Sequence, residues 1–152
     1  MFRGISNIAI DAKGRLSIPK KYRDQLISVS RGQLMVTVSP DRCLLVFPLD
    51  EWWPTEEKLM KLPNTNSKHR RLQLLYVGFA TETEVDNNGR ILVPPKLREF
   101  AEIDRKAVMI GQGRRLEVWG EERWFDSSGR WPEELLDESN DELSDEAREL
   151  FV

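Results

Sequence analysis

Asp11-Ala12-Lys13-Gly14-Arg15-Leu16-Ser17-Ile18-Pro19-Lys20-Lys21-Tyr22-Arg23 decides the fold, because the chain contains it twice. At a constant offset of 75 stands Asp86-Asn87-Asn88-Gly89-Arg90-Ile91-Leu92-Val93-Pro94-Pro95-Lys96-Leu97-Arg98, with Asp, Gly, Arg, Pro and the closing Arg in register. The likeness continues downstream as the offset shrinks. Residues 34–38 match 107–111, Leu44-Leu45-Val46-Phe47 matches Leu116-Glu117-Val118-Trp119, and Trp52 matches Trp124. Two copies are too few for a solenoid, so the pattern predicts a duplicated unit whose halves pair across a pseudo-two-fold axis.

Each copy reads as strand, turn, strand, short helix and hairpin. Residues 8–10 run into a turn in which Asp11 can accept hydrogen bonds from nearby amides and Gly14 can take a positive φ; Asp86 and Gly89 repeat the arrangement. Leu16 and Ile18 then alternate inward, and Pro19 opens a helix over residues 20–25, where its missing N–H is not needed. Pro94-Pro95 open the equivalent helix. Strands follow at 34–38 and 44–47, and again at 107–110 and 116–119. Between the copies, Asp50 or Thr55 can cap a helix through Leu59 and Leu62, Pro63-Asn64 breaks it, and a second helix covers 67–76. The expected class is mostly β with α (α+β). Its divisions are a first repeat at 1–52, a helical connector at 53–77, a second repeat at 78–125 and an acidic tail at 126–152.

Charge is divided as sharply as the motifs are repeated. The chain of 152 residues carries a net −3, but from residue 121 onward twelve acidic residues face only Arg123, Arg130 and Arg148. That segment therefore holds −9, which leaves +6 on the first 120 residues. Local field, not net charge, governs which partner a surface attracts, so the repeats can meet a polyanion despite the overall sign. An acidic run of this kind is usually a solvated segment, and it also has the charge to compete with a polyanion for a basic face. Cys43 is the one cysteine and lies in an apolar run, which predicts a buried, inert thiol and no intramolecular disulfide. No stretch is apolar enough for a signal peptide or a membrane span, so a cytoplasmic protein without membrane association is expected.

The twin Asp-x-x-Gly-Arg-x-x-x-Pro motifs, the opening Met1-Phe2-Arg3-Gly4 and the inter-repeat helices resemble the MraZ family over roughly residues 1–125. That family joins two SpoVT/AbrB-like DNA-binding elements in one chain. The resemblance implies a swapped-hairpin, double-psi-like β-barrel and a ring-like homo-oligomer associated with the nucleoid. It also implies sequence-specific binding of double-stranded DNA at short direct repeats in the promoter of its own cell-division and cell-wall gene cluster.

The residues point to the same chemistry. From Asp11 to Arg23 five cations oppose one carboxylate, whereas from Asp86 to Arg98 three do. An arginine just past a glycine turn can fork onto phosphate or onto guanine O6 and N7, and lysine supplies a mobile point charge. Arg15 is the first candidate, with Lys13 beside it; Arg3, Lys20, Lys21 and Arg23 are candidates for phosphate positioning, and Arg90 is the counterpart of Arg15. Asp11, Gly14, Asp86 and Gly89 are assigned to turn structure. An ion pair with Asp11 or Asp86 competes for Arg15 and Arg90, and Lys20, Lys21 and Lys96 equally suit a solvated helix face.

Enzymatic readings find little support. His69 and Cys43 are single, which leaves no zinc site and only one position for a catalytic triad. Gly111-Gln112-Gly113 lacks the third glycine of a dinucleotide loop, and no Gly precedes a Ser as self-processing decarboxylases require. No enzyme activity, cofactor, metal or small-molecule substrate is expected. The alternatives to DNA are RNA binding, which would favour exposed aromatics, and an oligomeric scaffold, which has no use for cations clustered at a turn.

Overall fold

Leu44-Leu45-Val46-Phe47 shows no polar alternation, as a strand covered on both faces should not, and it lies at the middle of the larger sheet. The computed structural model describes residues 1–137 and 142–150 and divides the chain into two units, Met1–Glu121 and Glu122–Val152. The first unit contains β1 (Ile5–Ala9), β2 (Arg15–Ser17), α1 (Lys20–Ser30), β3 (Gln33–Ser39), β4 (Cys43–Pro48), α2 (Leu49–Met60) and α3 (Ser67–Tyr76). It continues with β5 (Thr81–Glu84), β6 (Arg90–Leu92), α4 (Pro95–Phe100), β7 (Lys106–Gln112) and β8 (Arg115–Gly120). Six strands form an antiparallel sheet in the order β1-β7-β8-β4-β3-β5, while β2 and β6 pair separately as a two-stranded ribbon.

The halves are exchanged. β1 of the first copy pairs with β7 of the second, Ile5 opposite Ile110, and β5 of the second pairs with β3 of the first, Gln33 opposite Glu84. At the centre, equivalent residues face each other: Leu45 opposite Glu117 in β4–β8, and Leu16 opposite Ile91 in β2–β6. The swapped-hairpin expectation and the pseudo-dyad are thus both present. The expected barrel closure is not. β1 and β5 remain edges of an open sheet, because the three-residue strands that could bridge them pair with one another instead. A bridge of Ile10 with Leu16, with Asp11 N–H donating to Arg15 O at 2.9 Å, ties the ribbon's first strand back toward β1.

Two helices also differ from expectation. α1 runs on to Ser30 and not merely to Gln25, and stops where Arg31 (φ 58) and Gly32 (φ 78) turn left-handed, their N–H groups bonding Ile27 O and Leu26 O. α2 begins at Leu49 directly after β4, so Asp50 and Thr55 lie inside the helix and neither caps it; it ends at Met60, before Leu62. Asn66 does cap α3, accepting from the N–H groups of Lys68 and His69 at 2.9 and 3.2 Å. The expected αα-hairpin is closed by Gln73 Nε2, which donates to Leu59 O and Leu62 O.

Both faces of the sheet are covered. Leu34, Val36, Val38, Leu44, Val46, Met109, Leu116 and Val118 meet Leu16, Ile91, Tyr22, Leu26 and Leu97 from the ribbon, α1 and α4. On the opposite face Met35, Thr37, Cys43, Leu45, Phe47 and Val108 are buried. There the Trp52 ring of α2 packs edge-on against Phe47 at 5.2 Å, and Thr37 Oγ1 donates to Tyr76 O at 2.6 Å. The ribbon is consequently held from below by core side chains and open above.

α5 (Glu121–Ser128) begins at the last residue of the first unit; the second unit holds the rest of it with α6 (Trp131–Leu136) and α7 (Asp145–Leu150), all short helices, and Trp124 packs edge-on against Trp131 at 5.3 Å. Residues 138–141 and 151–152 of the acidic tail lie outside the described residues. Among the described residues no helix is long and apolar enough to cross a membrane.

Candidate nucleic-acid interface

The two motif turns have the same hydrogen bonds. Asp11 Oδ1 accepts from the N–H groups of Lys13 and Arg15, both at 2.9 Å; Asp86 Oδ1 accepts from those of Asn88 and Arg90 at 2.8 and 2.9 Å. Gly14 (φ +87) and Gly89 (φ +75) occupy the left-handed position that the sequence pattern requires. Their carbonyls then cross the dyad: Val93 N–H donates to Gly14 O at 2.9 Å and Ile18 N–H to Gly89 O at 3.0 Å. Each turn is therefore fastened to the other copy's strand.

These crossings set what the ribbon displays. Register places Arg15 opposite Leu92 and Ser17 opposite Arg90, and partners in an antiparallel pair point to the same side. Leu16 and Ile91 fill the core, so the outward face consists of Arg15, Ser17, Arg90 and Leu92. Both arginines are half-buried. They are not equivalent. Arg90 Nη1 lies 3.6 Å from Asp11 Oδ2 across the dyad, whereas the Arg15 guanidinium makes no ion pair or hydrogen bond among the described residues. The competing ion-pair role thus falls to Arg90.

Electrostatics at the turns follow from this geometry. The Arg15 N–H, with help from Lys13 N–H and the charges of Arg15 and Arg90, holds the Asp11 carboxyl below its ordinary 3.8. Asp86 is lowered in the same way, first by the Arg90 N–H and then by Asn88 N–H and the two arginine charges. Both carboxylates are therefore ionised at neutral pH, the form that accepts the turn's N–H groups.

The remaining candidates divide into three places. Lys13 is exposed on the first turn, beside Arg15. Arg3 and Lys21 gather around Tyr22: its hydroxyl donates to Arg3 O and Gly4 O at 2.9 and 2.8 Å, and Lys21 Nζ lies 4.7 Å from its ring centre, while the Arg3 side chain is exposed. Lys20 is exposed at the start of α1, whose first turn holds no acidic residue. Folding alone favours carboxylates there, since cations oppose the helix dipole, so Lys20 and Lys21 are placed at some cost to the helix. Arg23 is held elsewhere. It lies half-buried against the second turn, where a Cβ on Gly89 would come within 2.6 Å of its Cδ. Arg98 does the same to Gly14 and donates from Nε to Val93 O at 3.1 Å.

Two of these features are not evident from the sequence, the juxtaposition of Leu92 with Arg15 and the role of Arg98, whereas the pair of Arg90 with Asp11 is one of the ion pairs the motif allows. A signal for the first was present, since a dyad through Leu16 and Ile91 fixes the entire ribbon register. Among the described residues no group of three His, Cys, Asp or Glu could hold a metal ion.

Two pseudo-equivalent swapped hairpins, crossed on one dyad, define a tandem-repeat protein whose cations and turns face outward on a short ribbon. Comparison with known proteins agrees. The family model described as MraZ protein matches residues 1–75 and 77–147, once for each repeat. A transcriptional regulator MraZ of Thioalkalivibrio sulfidiphilus is 48% identical over 131 residues, covering 86% of this chain and 87% of the relative. Its namesakes in Pseudomonas fluorescens SBW25 and Methylococcus capsulatus are 46% identical over 148 residues and 45% over 146; coverage is 90% of this chain and 98% of the relative for the first, and 96% of each for the second. The chain belongs to the MraZ family, a family of transcriptional regulators and not of enzymes.

Proposed function

We propose that this protein binds double-stranded DNA sequence-specifically through the outward face of the β2–β6 ribbon and its flanking turns. The observation that carries the reading is the place of Arg15 on the outward face of the ribbon, its N–H fixed by Asp11 and the exposed Lys13 beside it. An arginine fixed at its backbone, whose charge is shared between two turn carboxylates without a close ion pair to either, suits a forked contact to guanine or phosphate. Arg3, Lys20 and Lys21 serve as phosphate contacts that position the ribbon, and Arg23 supports the second turn from beneath. Arg90, tied to Asp11, contacts DNA less directly than Arg15.

The same reading extends to assembly and target. The protein acts as a homo-oligomer, for which the exposed Ile27, Val29, Trp53 and Leu74 offer apolar surface. In keeping with the family resemblance, its sites are short direct repeats in the promoter of its own cell-division and cell-wall gene cluster, and it works in the cytoplasm at the nucleoid. The repeats at 1–52 and 78–125 supply one ribbon strand each, and 126–152 forms the acidic tail.

Titration of the full chain with duplex DNA, duplex RNA and single strands, each at two salt concentrations, tests this reading. Duplex DNA should bind most tightly at both, with affinity falling as salt rises because phosphate contacts release counterions. Equal or tighter binding of RNA would favour the RNA reading, and no binding of any polynucleotide would leave the scaffold. Light scattering at the mass of one chain would remove the oligomer.

A further inference from the structure

The outward face of the ribbon holds one residue that phosphate chemistry does not explain. Leu92 is 54% exposed. A single exposed leucine is ordinary on a protein surface; the position of this one is not. It is the cross-strand partner of Arg15, which puts their Cα atoms about 5 Å apart on the same side of the ribbon. Arg90 stands on its own strand two residues away, on the same face. At the pseudo-equivalent place the first copy has Ser17, so neither the fold nor the dyad requires an apolar side chain here.

A two-stranded ribbon has the width to enter a DNA major groove. The groove offers donors, acceptors and one apolar group, the C5-methyl of thymine. A branched apolar side chain beside an arginine that forks onto guanine O6 and N7 therefore has one natural counterpart within reach. We infer that Leu92 packs against the methyl of a thymine adjacent to the base that Arg15 contacts, making the second copy a reader of sequence through an apolar contact. Ser17 presents a hydroxyl at the related place, so the two ends of the ribbon recognise different bases. The inference rests on the proposed DNA reading, which selection tests separately.

The full chain is used to enrich a duplex from a random pool, and each thymine of the enriched duplex is then replaced singly by deoxyuridine, which removes the methyl and keeps the pairing. The parent should lose about fourfold in affinity at one thymine position beside an Arg15-dependent guanine, as expected for returning one methyl contact to water. Leu92→Ser should bind the thymine and deoxyuridine duplexes equally at that position while retaining the guanine preference, and Leu92→Met should keep the discrimination. The inference is overturned if the parent tolerates every deoxyuridine, or if Leu92→Ser still discriminates. It is equally overturned if Leu92→Ser changes the mass seen by light scattering, because Leu92 then belongs to a subunit contact. A chain that enriches no sequence overturns the DNA-reading proposal and this inference together, whereas enrichment without methyl sensitivity overturns the inference alone.

Discussion

Gly14→Ala tests whether the crossed turns are what hold the ribbon in place. At φ +87 any side chain is strained, by about 1–2 kcal/mol for an alanine held left-handed. The added Cβ would also lie 2.8 Å from Val93 O and 2.9 Å from Arg98 Nε, and the first is backbone that cannot rotate away. Relief requires the second copy's strand to withdraw, which loosens the bond from Val93 N–H to Gly14 O, worth about 1 kcal/mol net. The total is about 2–3 kcal/mol, or about 1–1.5 M in a urea midpoint at a slope of about 2 kcal/mol/M. Gly32→Ala is the internal control: its φ of +78 carries the same strain, but the nearest atom to its Cβ is Val85 Cβ at 3.6 Å, an ordinary contact. Urea unfolding of both variants at one protein concentration isolates the crossing from the strain. If Gly14→Ala costs no more than Gly32→Ala, the turn is not clamped by the other copy and the argument from the dyad fails.

Other consequences follow from single contacts. Arg90→Ala should change stability by no more than about 1 kcal/mol, since its pair with Asp11 is about a third exposed on both sides, 31% and 39%; a loss above 2 kcal/mol in the same assay would make it a structural keystone. Because the Asp11 and Asp86 carboxyls are lowered below 3.8, their stabilisation is complete above the unfolded value and disappears as pH falls through the lower folded one. The doubly substituted Asp11→Asn, Asp86→Asn protein should therefore be less stable than the parent at pH 6, with the gap closing below about pH 4; a gap independent of pH contradicts the assignment. Cys43 is fully buried, and burial, reinforced by the Glu117 carboxylate, pushes its thiol far up, so iodoacetamide should label it only as fast as the protein unfolds. Rapid labelling of the folded chain would show that the outer sheet face opens.

Much of this was legible in the sequence because the deciding signals are local. Asp and Gly at fixed spacing define a turn whatever surrounds it, and the repetition at an offset of 75 announced a duplicated unit. What escaped depends on partners distant in the chain. Whether two short strands close a barrel or pair together is decided by their three-residue length and by which edge reaches them, which no local pattern states. Arg23 reads as one more cation of a basic helix, yet lies on the glycine of the other copy's turn. Glu117 takes the place that Leu45 holds in the first copy, and its carboxylate is satisfied by Trp119 Nε1 at 3.0 Å and by Arg115 at 3.4 Å. The sequence shows the exchanged residue but not the partners that make it tolerable.

The central claim, that the first copy's turn presents the reading arginine, is tested most directly by fluorescence anisotropy of Arg15→Ala on the enriched duplex and on a scrambled one. Circular dichroism would confirm that the variant is folded. Loss of one forked guanine contact should cut affinity for the enriched duplex by about five- to 150-fold, and by more where several subunits bind at once, while affinity for the scrambled duplex falls far less. A folded Arg15→Ala protein that prefers the enriched duplex as strongly as the parent would contradict the account and place the reading surface elsewhere.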